Sequence, residues 1–164
     1  MKPFTITRTF PATREKLFRA WTDPKQMSRW LAPKGFTTSY RKADIRPGGV
    51  AHYSMSGPQG QPMWGKAKYE TIESPSRLVY RQYFSDEKEG ITRHPMSPTW
   101  PLEMTTTVTF KEKAPGSTEL TLTWLPENAS PAEAETFAKS FDGMTQGWTG
   151  SLDQLDAYLR ENNS

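Results

Sequence analysis

Alternation of apolar and polar residues marks the first element of the chain. Phe4, Ile6 and Phe10 lie on one side of residues 4–10, and threonines lie on the other. A repeat of two residues predicts a half-buried strand. Arg8 stands on the apolar side of this strand and breaks its pattern.

Two short helical patterns follow this strand. Thr13 is a suitable N-cap for the first, and Asp23 ends it. Pro24 then fits the first turn of a second helix, because a proline at that position gives up no helical hydrogen bond. The residues at helical spacing are Leu17, Phe18 and Trp21 in the first helix and Met27, Trp30 and Leu31 in the second.

Residues 36–124 show short alternating runs separated by turn residues. Short turns between neighbouring strands predict an antiparallel sheet. In Arg46-Pro47-Gly48-Gly49, proline followed by glycine predicts a type II turn. Residues 85–100 are polar and rich in proline, so they are interpreted as a long loop. The role of this loop is left open, and a lid over a pocket is one option. The predicted strands span residues 36–45, 50–56, 63–73, 77–84, 104–111 and 118–124.

The last segment predicts one long amphipathic helix. Ser130-Pro131 with Glu133 is the pattern of a capping box. Glycines interrupt the segment, and a kink near Asp142-Gly143 and a close approach to the sheet are both open explanations. Apolar residues recur at spacings of three and four. The predicted pocket part is Phe141, Met144 and Trp148, and the predicted core part is Leu152, Leu155 and Leu159.

A curved sheet that faces one helix leaves a gap that is either filled by side chains or open to a ligand. The candidate lining residues combine rings, thioethers and isolated polar tips, which suit an apolar pocket with a few orienting hydrogen bonds. The same residues could equally build the core that a domain of this size requires. The candidates are Tyr53, Met55, Trp64, Tyr80, Phe84, Met104, Trp124, Phe141, Met144 and Trp148.

Composition narrows the classes of function. The 164 residues are expected to form one domain, and an aromatic share of 12% compensates for an apolar share of 34%. The net charge is only +3 and the basic residues are scattered, which argues against nucleic-acid binding. No secretory signal and no apolar run of membrane-spanning length occur, so the cytoplasm is the expected location.

Motifs of catalysis are missing from the sequence. There is no cysteine, no phosphate-binding glycine loop and no nucleophile elbow. His52 and His94 have no partners at metal-ligand spacing, so both are interpreted as satisfied surface or rim histidines. No catalytic residue, metal or cofactor is predicted.

Four segments in combination resemble a known family. They are Trp21–Trp30, Arg46–Gly49, Tyr69–Leu78 and the run from Gly147 to Leu155. Together they are similar to the activator-of-Hsp90-ATPase homologue 1-like family of the START/Bet v 1-like superfamily. The resemblance implies an α+β helix-grip fold, in which a curved antiparallel sheet of about seven strands wraps around a long C-terminal helix and two short helices follow the first strand.

The resemblance also implies a cavity for lipids, sterols, polyketides or other hydrophobic molecules. Binding of a small hydrophobic or aromatic molecule is therefore the first hypothesis. The second is a cyclase or hydrolase that uses His52, Tyr53, Tyr80 or a pocket carboxylate as acid or base. The third is an interaction module of the co-chaperone kind, with Hsp90 the least favoured partner. A homodimer is also open.

Overall fold

The protein is built from eight strands and four helices within residues 1–58 and 60–161, the part of the chain that the computed structural model describes. The strands are β1 (Phe4–Phe10), β2 (Thr37–Ala43), β3 (Val50–Ser56), β4 (Met63–Glu73), β5 (Arg77–Ser85), β6 (Ile91–Thr92), β7 (Met104–Ala114) and β8 (Ser117–Pro126). The helices are α1 (Arg14–Thr22), α2 (Pro24–Trp30), α3 (Pro131–Lys139) and α4 (Phe141–Glu161).

All strands belong to one antiparallel sheet. Its order is β1-β8-β7-β5-β4-β3-β2, and the two-residue β6 pairs with the end of β5. The sheet is curved and does not close, since β1 and β2 are its two edges. The predicted α+β class is therefore confirmed, and the architecture is consistent with the helix-grip fold.

The two short helices begin and end where their caps predict. The Thr13 hydroxyl accepts a hydrogen bond from the N–H of Lys16 at 3.2 Å. The N–H of Asp23 bonds to the carbonyl of Arg19, and its carboxylate accepts from the N–H of Lys25 at 3.1 Å. Asp23 thus ends α1 and starts α2, which is why the two helices follow each other without a loop.

The prediction of one helix from Ser130 to the end is wrong. The capping box at Ser130 and Glu133 is present, but it begins α3, which ends at Lys139 with Ser140 as its C-cap. The Ser140 hydroxyl donates to the carbonyl of Thr136 at 2.7 Å, a bond of the kind that bends helices. The break therefore lies two residues before the expected kink at Asp142-Gly143.

The interpretation of residues 85–100 as a loop without strands is also incomplete. β6 pairs Thr92 with Phe84 and Ile91 with Ser85, which ties this segment to β5. Two residues are too short a run to show a period of two in the sequence. The type II turn is confirmed, because Gly48 has a φ of 85° and the N–H of Gly49 bonds to the carbonyl of Arg46 at 2.7 Å.

α4 packs across the concave face of the sheet and contributes several residues to the hydrophobic core. Leu152, Leu155 and Leu159 have no exposed surface, which confirms the core part of the predicted stripe. Arg8, the exception on the apolar face of β1, donates to Asp153 of α4 at 2.5 Å. A charged residue on this face therefore joins the sheet edge to the helix.

Candidate functional site

A cavity of about 660 Å³ separates the sheet from the first half of α4. The concave face of β3, β4, β5, β7 and β8 forms its floor, and α4 forms one wall. The chain segments at 31–36 and 100–102 border its remaining sides. Phe36 and Leu102 border the cavity and are 40% and 38% exposed, so both segments reach solvent.

Strand register explains which side chains form the floor. Tyr53 of β3 pairs with Gly65 of β4, which pairs with Phe84 of β5. Because paired residues point to the same face of a sheet, these three lie side by side on the concave surface. Two rows along, Tyr80 pairs with Thr106, which pairs with Trp124.

A short polar network crosses this otherwise apolar floor. The Thr106 hydroxyl donates to Oε1 of Gln82 at 3.2 Å. The Tyr53 hydroxyl lies near Gln82, and the Tyr80 hydroxyl lies near Thr106. Thr106 is fully buried, whereas part of Tyr53 is exposed to the cavity. The network therefore presents polar atoms at one end of an apolar space.

Gly65 provides the room for Tyr53 on the floor. A Cβ at Gly65 would lie 2.6 Å from two carbons of the Tyr53 ring. A Cβ atom cannot lie this close to another carbon, so any other residue at this position would displace the ring. Glycine lets the Tyr53 ring lie directly on the backbone of β4. Glycine within a strand often marks such a close approach.

Burial raises the pKa of four tyrosines on the concave face. The pKa of Tyr53 rises to about 12. The pKa values of Tyr40, Tyr69 and Tyr80 are also raised, first by burial and then by their mutual proximity. All four phenols are therefore protonated near neutral pH, and they serve as hydrogen-bonding groups rather than as bases.

Stability is expected to fall when the pH rises above 10. The unfolded chain loses tyrosine protons near pH 10, whereas the folded protein holds them to higher pH. The unfolded state then binds fewer protons, so the free energy of unfolding decreases as pH increases. Urea unfolding between pH 8 and pH 11.5 measures this decrease. A midpoint that stays constant over this range would contradict the buried position of these phenols.

Aromatic contacts join the α4 wall to the rest of the core. Trp148 stacks on Trp21 of α1 with centroids 5.9 Å apart and meets Trp124 edge-on at 5.6 Å. Met144 lies one turn earlier on the same wall. Gly143 and Gly147 also border the cavity, and a Cβ at either position would meet no atom within 4 Å. This part of α4 therefore leaves space at the cavity rim that side chains could fill.

The segment of residues 91–102 lies beside the cavity and is fastened to α3. Arg93 donates to Oε2 of Glu133, the carboxylate that also closes the capping box of α3. The hydroxyl groups of Thr99 and Thr136 form a hydrogen bond, with their oxygens 2.7 Å apart. Trp100 borders the cavity and packs on Phe137 with centroids 6.1 Å apart. Both hydrogen bonds and ring packing thus hold this segment in place.

Nine of the ten candidate lining residues border the cavity; Phe141 does not. Its ring packs on Phe4 and Phe137 instead, at 5.6 and 5.4 Å. Trp64 borders the cavity between Met63 and Gly65, but its ring lies on the outer face of the sheet. There it stacks on His52 with centroids 4.9 Å apart, and the Arg41 guanidinium lies over it at 4.7 Å.

His52 is satisfied, as predicted, but it is not a surface residue. Only 1% of it is exposed, and its Nε2 lies 3.0 Å from the carbonyl oxygen of Asp86. It faces away from the cavity because Tyr53, its neighbour in β3, faces inward. His94 lies behind Phe84 with ring centroids 4.7 Å apart, and burial lowers the pKa of its imidazole.

Charge is nearly absent from the cavity walls. Lys139 is the single charged side chain among the described lining residues, and it pairs with Glu135 at 2.7 Å on the surface of α3. Within residues 1–58 and 60–161, no group of three histidine, aspartate or glutamate side chains is placed to hold a metal ion. The site is therefore suited to apolar molecules without charge.

Two comparisons with known proteins bear on this site. The family model described as "Activator of Hsp90 ATPase homolog 1-like protein" matches residues 11–160. No curated protein matches the chain.

Among the described helices, none is long and apolar enough to cross a membrane. The cytoplasmic location stays a prediction.

Solved structures match nearly the whole chain. A protein from Arthrobacter aurescens is 27% identical with a TM-score of 0.82, and the match covers 97% of this chain and 86% of the other. Protein Ms6760 from Mycobacterium smegmatis is 25% identical with a TM-score of 0.77, covering 96% of this chain and 90% of the other. The names of these two proteins specify no ligand or activity.

Proposed function

Because this chain belongs to the Activator of Hsp90 ATPase homolog 1-like protein family, we propose that it binds one small hydrophobic or aromatic molecule between its sheet and α4. The observation that carries the proposal is the cavity of about 660 Å³ with almost no charge on its walls. Ligand pockets in proteins commonly measure about 300–1,000 Å³ and combine apolar walls with a few polar groups.

The walls favour flat or ring-shaped molecules. Phe84, Trp100, Trp124 and Trp148 all border the cavity, and ring pairs prefer offset or edge-on contacts. Met55, Met104 and Met144 add thioether side chains, which adapt to ligands of different outline. The polar network around Gln82 would orient one end of such a molecule.

Catalysis by a cyclase or hydrolase is a weaker proposal for the same cavity. Tyr53 and Tyr80 offer proton donors there, but burial raises both pKa values and leaves neither as a base near pH 7. His52 faces the opposite side of the sheet. The observation in favour of this alternative is therefore limited to the two phenols as hydrogen-bond donors. The co-chaperone hypothesis and the homodimer stay predictions.

Binding of N-phenyl-1-naphthylamine, a neutral fluorescent probe, tests the proposed function. We expect saturable binding of one probe per chain, with energy transfer from Trp124 and Trp148 because both indoles border the cavity. The probe should also raise the melting temperature, since a ligand of the folded state stabilises it. Binding that does not saturate, or that lacks energy transfer, would count against a cavity ligand.

Segment 91–102 is proposed to limit ligand exchange, as a lid. Replacing Arg93 with methionine keeps an apolar stem but removes the donor to Glu133. Loss of about 1 kcal/mol from this half-exposed pair corresponds to a roughly fivefold faster release of N-phenyl-1-naphthylamine. Stopped-flow fluorescence measures the release rate.

Arg77→Met is the matched control for this variant. Arg77 pairs with Glu73 on the surface, and neither residue borders the cavity. Its release rate should equal that of the unmodified protein. Equal rates in Arg93→Met and Arg77→Met would show that segment 91–102 does not limit exchange.

A further inference from the structure

The polar network on the cavity floor holds more donor protons than it uses. Tyr53, Tyr80 and Thr106 each carry one hydroxyl proton, and the amide of Gln82 carries two. One hydrogen bond joins two of these four side chains, and it engages the Thr106 proton alone. The floor therefore offers spare donors to whatever occupies the cavity.

The direction of the bond locates the spare hydroxyl protons. Thr106 gives its single proton to Oε1 of Gln82. Among these four side chains, the hydroxyl protons of Tyr53 and Tyr80 are therefore the two that this bond does not use.

Tyr53 also has the right position to meet a ligand. Its ring lies across Gly65 on the floor, and the exposed part of the residue faces the cavity. Tyr80 also borders the cavity but is only 8% exposed, and Thr106 is fully buried. A molecule that enters the cavity displaces solvent from Tyr53 and must replace the acceptor that solvent supplied.

We propose that the ligand is a neutral ring compound with a carbonyl oxygen, such as a cyclic ketone, quinone or lactone, and that the Tyr53 hydroxyl donates to that oxygen. This inference rests on the proposed function, because it specifies the molecule that the cavity holds. A pure hydrocarbon would leave the Tyr53 proton without an acceptor. A carboxylate would lose its hydration without gaining a cation, since Lys139 is paired at the rim.

Three tricyclic probes of nearly the same shape test the ligand class by equilibrium dialysis. They are 9-fluorenone, with a carbonyl group; fluorene, with a methylene group in its place; and fluorene-9-carboxylate, an anion. We expect 9-fluorenone to bind about tenfold or more tightly than fluorene, because a site built to bond one polar group rejects an analogue that lacks it. The carboxylate should bind more weakly than both.

Substitution of the donor tests the role of Tyr53. In Tyr53→Phe the preference for 9-fluorenone over fluorene should disappear, while the affinity for fluorene is kept. Tyr40→Phe is the matched control, because its hydroxyl contacts Met27 and Tyr40 does not border the cavity. The infrared carbonyl stretch of bound 9-fluorenone should lie lower in the unmodified protein than in Tyr53→Phe, which a purely structural role would not produce.

Each outcome decides one of the two proposals. Equal binding of fluorene and 9-fluorenone by the unmodified protein would overturn the carbonyl inference and leave the proposed function intact. Binding of neither compound would count against both. A loss of preference confined to Tyr80→Phe would overturn the assignment to Tyr53. If Tyr53→Phe fails to fold, the affinity ratio and the carbonyl stretch in the unmodified protein still decide.

Discussion

Replacing Trp148 with alanine is expected to lower the free energy of unfolding by about 3–5 kcal/mol. Trp148 is 9% exposed, and its indole stacks on Trp21 and meets Trp124 edge-on. One side chain of α4 therefore joins a helix on one side to the sheet on the other. The variant would lose both ring contacts and enlarge the existing cavity. The surrounding helix and sheet cannot readily move inward to fill the added space.

Urea unfolding followed by circular dichroism measures this loss, with Trp64→Ala as the matched control. Trp64 is half-buried on the outer face, where its ring contacts His52 and Arg41. Removing that ring leaves no internal void, so its cost should be clearly smaller. Similar losses of stability in the two variants would contradict a core role for Trp148. They would favour a role for Trp148 mainly in contacting the ligand.

Replacing Gly147 with leucine should separate stability from binding. Leucine forms helices better than glycine by about 0.8–1 kcal/mol, and a Cβ at Gly147 meets no atom within 4 Å. The free energy of unfolding should therefore rise. The new side chain would occupy the rim of the cavity, so the affinity for N-phenyl-1-naphthylamine should fall by about tenfold or more, as expected when stability is gained at a functional surface.

Gly150→Leu provides a closely matched control on the same helix. A Cβ at Gly150 also meets no atom within 4 Å, but Gly150 does not border the cavity. This variant should gain similar stability and keep the affinity of the unmodified protein. If both leucine variants bind the probe equally well, the ligand does not enter beside Gly147.

Caps and apolar stripes predicted most of the fold from sequence. Thr13, Asp23 and Ser130 each start a helix where their side chains satisfy free backbone N–H groups, and such bonds depend only on neighbouring residues. The break at Ser140 escaped prediction because serine also occurs within helices. Its effect there depends on whether the hydroxyl bonds back to Thr136.

Candidate site residues were predictable where strand parity applied and less so elsewhere. Tyr53, Tyr80 and Trp124 alternate with outward neighbours, so they fall on the concave face. Trp64 was expected at the pocket because it lies near a loop, but parity with Gly65 turns its ring outward. The helix pattern predicted correctly that Phe141 packs inside the protein. It could not distinguish a residue of the core from a residue of the cavity wall.

Gly65 and Gln82 are candidate site residues that sequence reasoning did not select. Glycine in a strand carries no side chain to attract notice, and only the position of the Tyr53 ring gives it meaning. Gln82 was placed on the inward face, but its hydrogen bond with Thr106 depends on β5 and β7 lying together. Such partners become visible only once the sheet is assembled.

The packing of indoles around Trp148 also gives the protein a built-in optical reporter. Trp30, Trp21, Trp148 and Trp124 form a continuous series with successive centroids 4.7, 5.9 and 5.6 Å apart. Indoles this close can exchange excitation energy, so light absorbed by one of the four can be emitted by another. Two of them border the cavity, and an occupant should therefore quench or shift the emission of the whole series without any label.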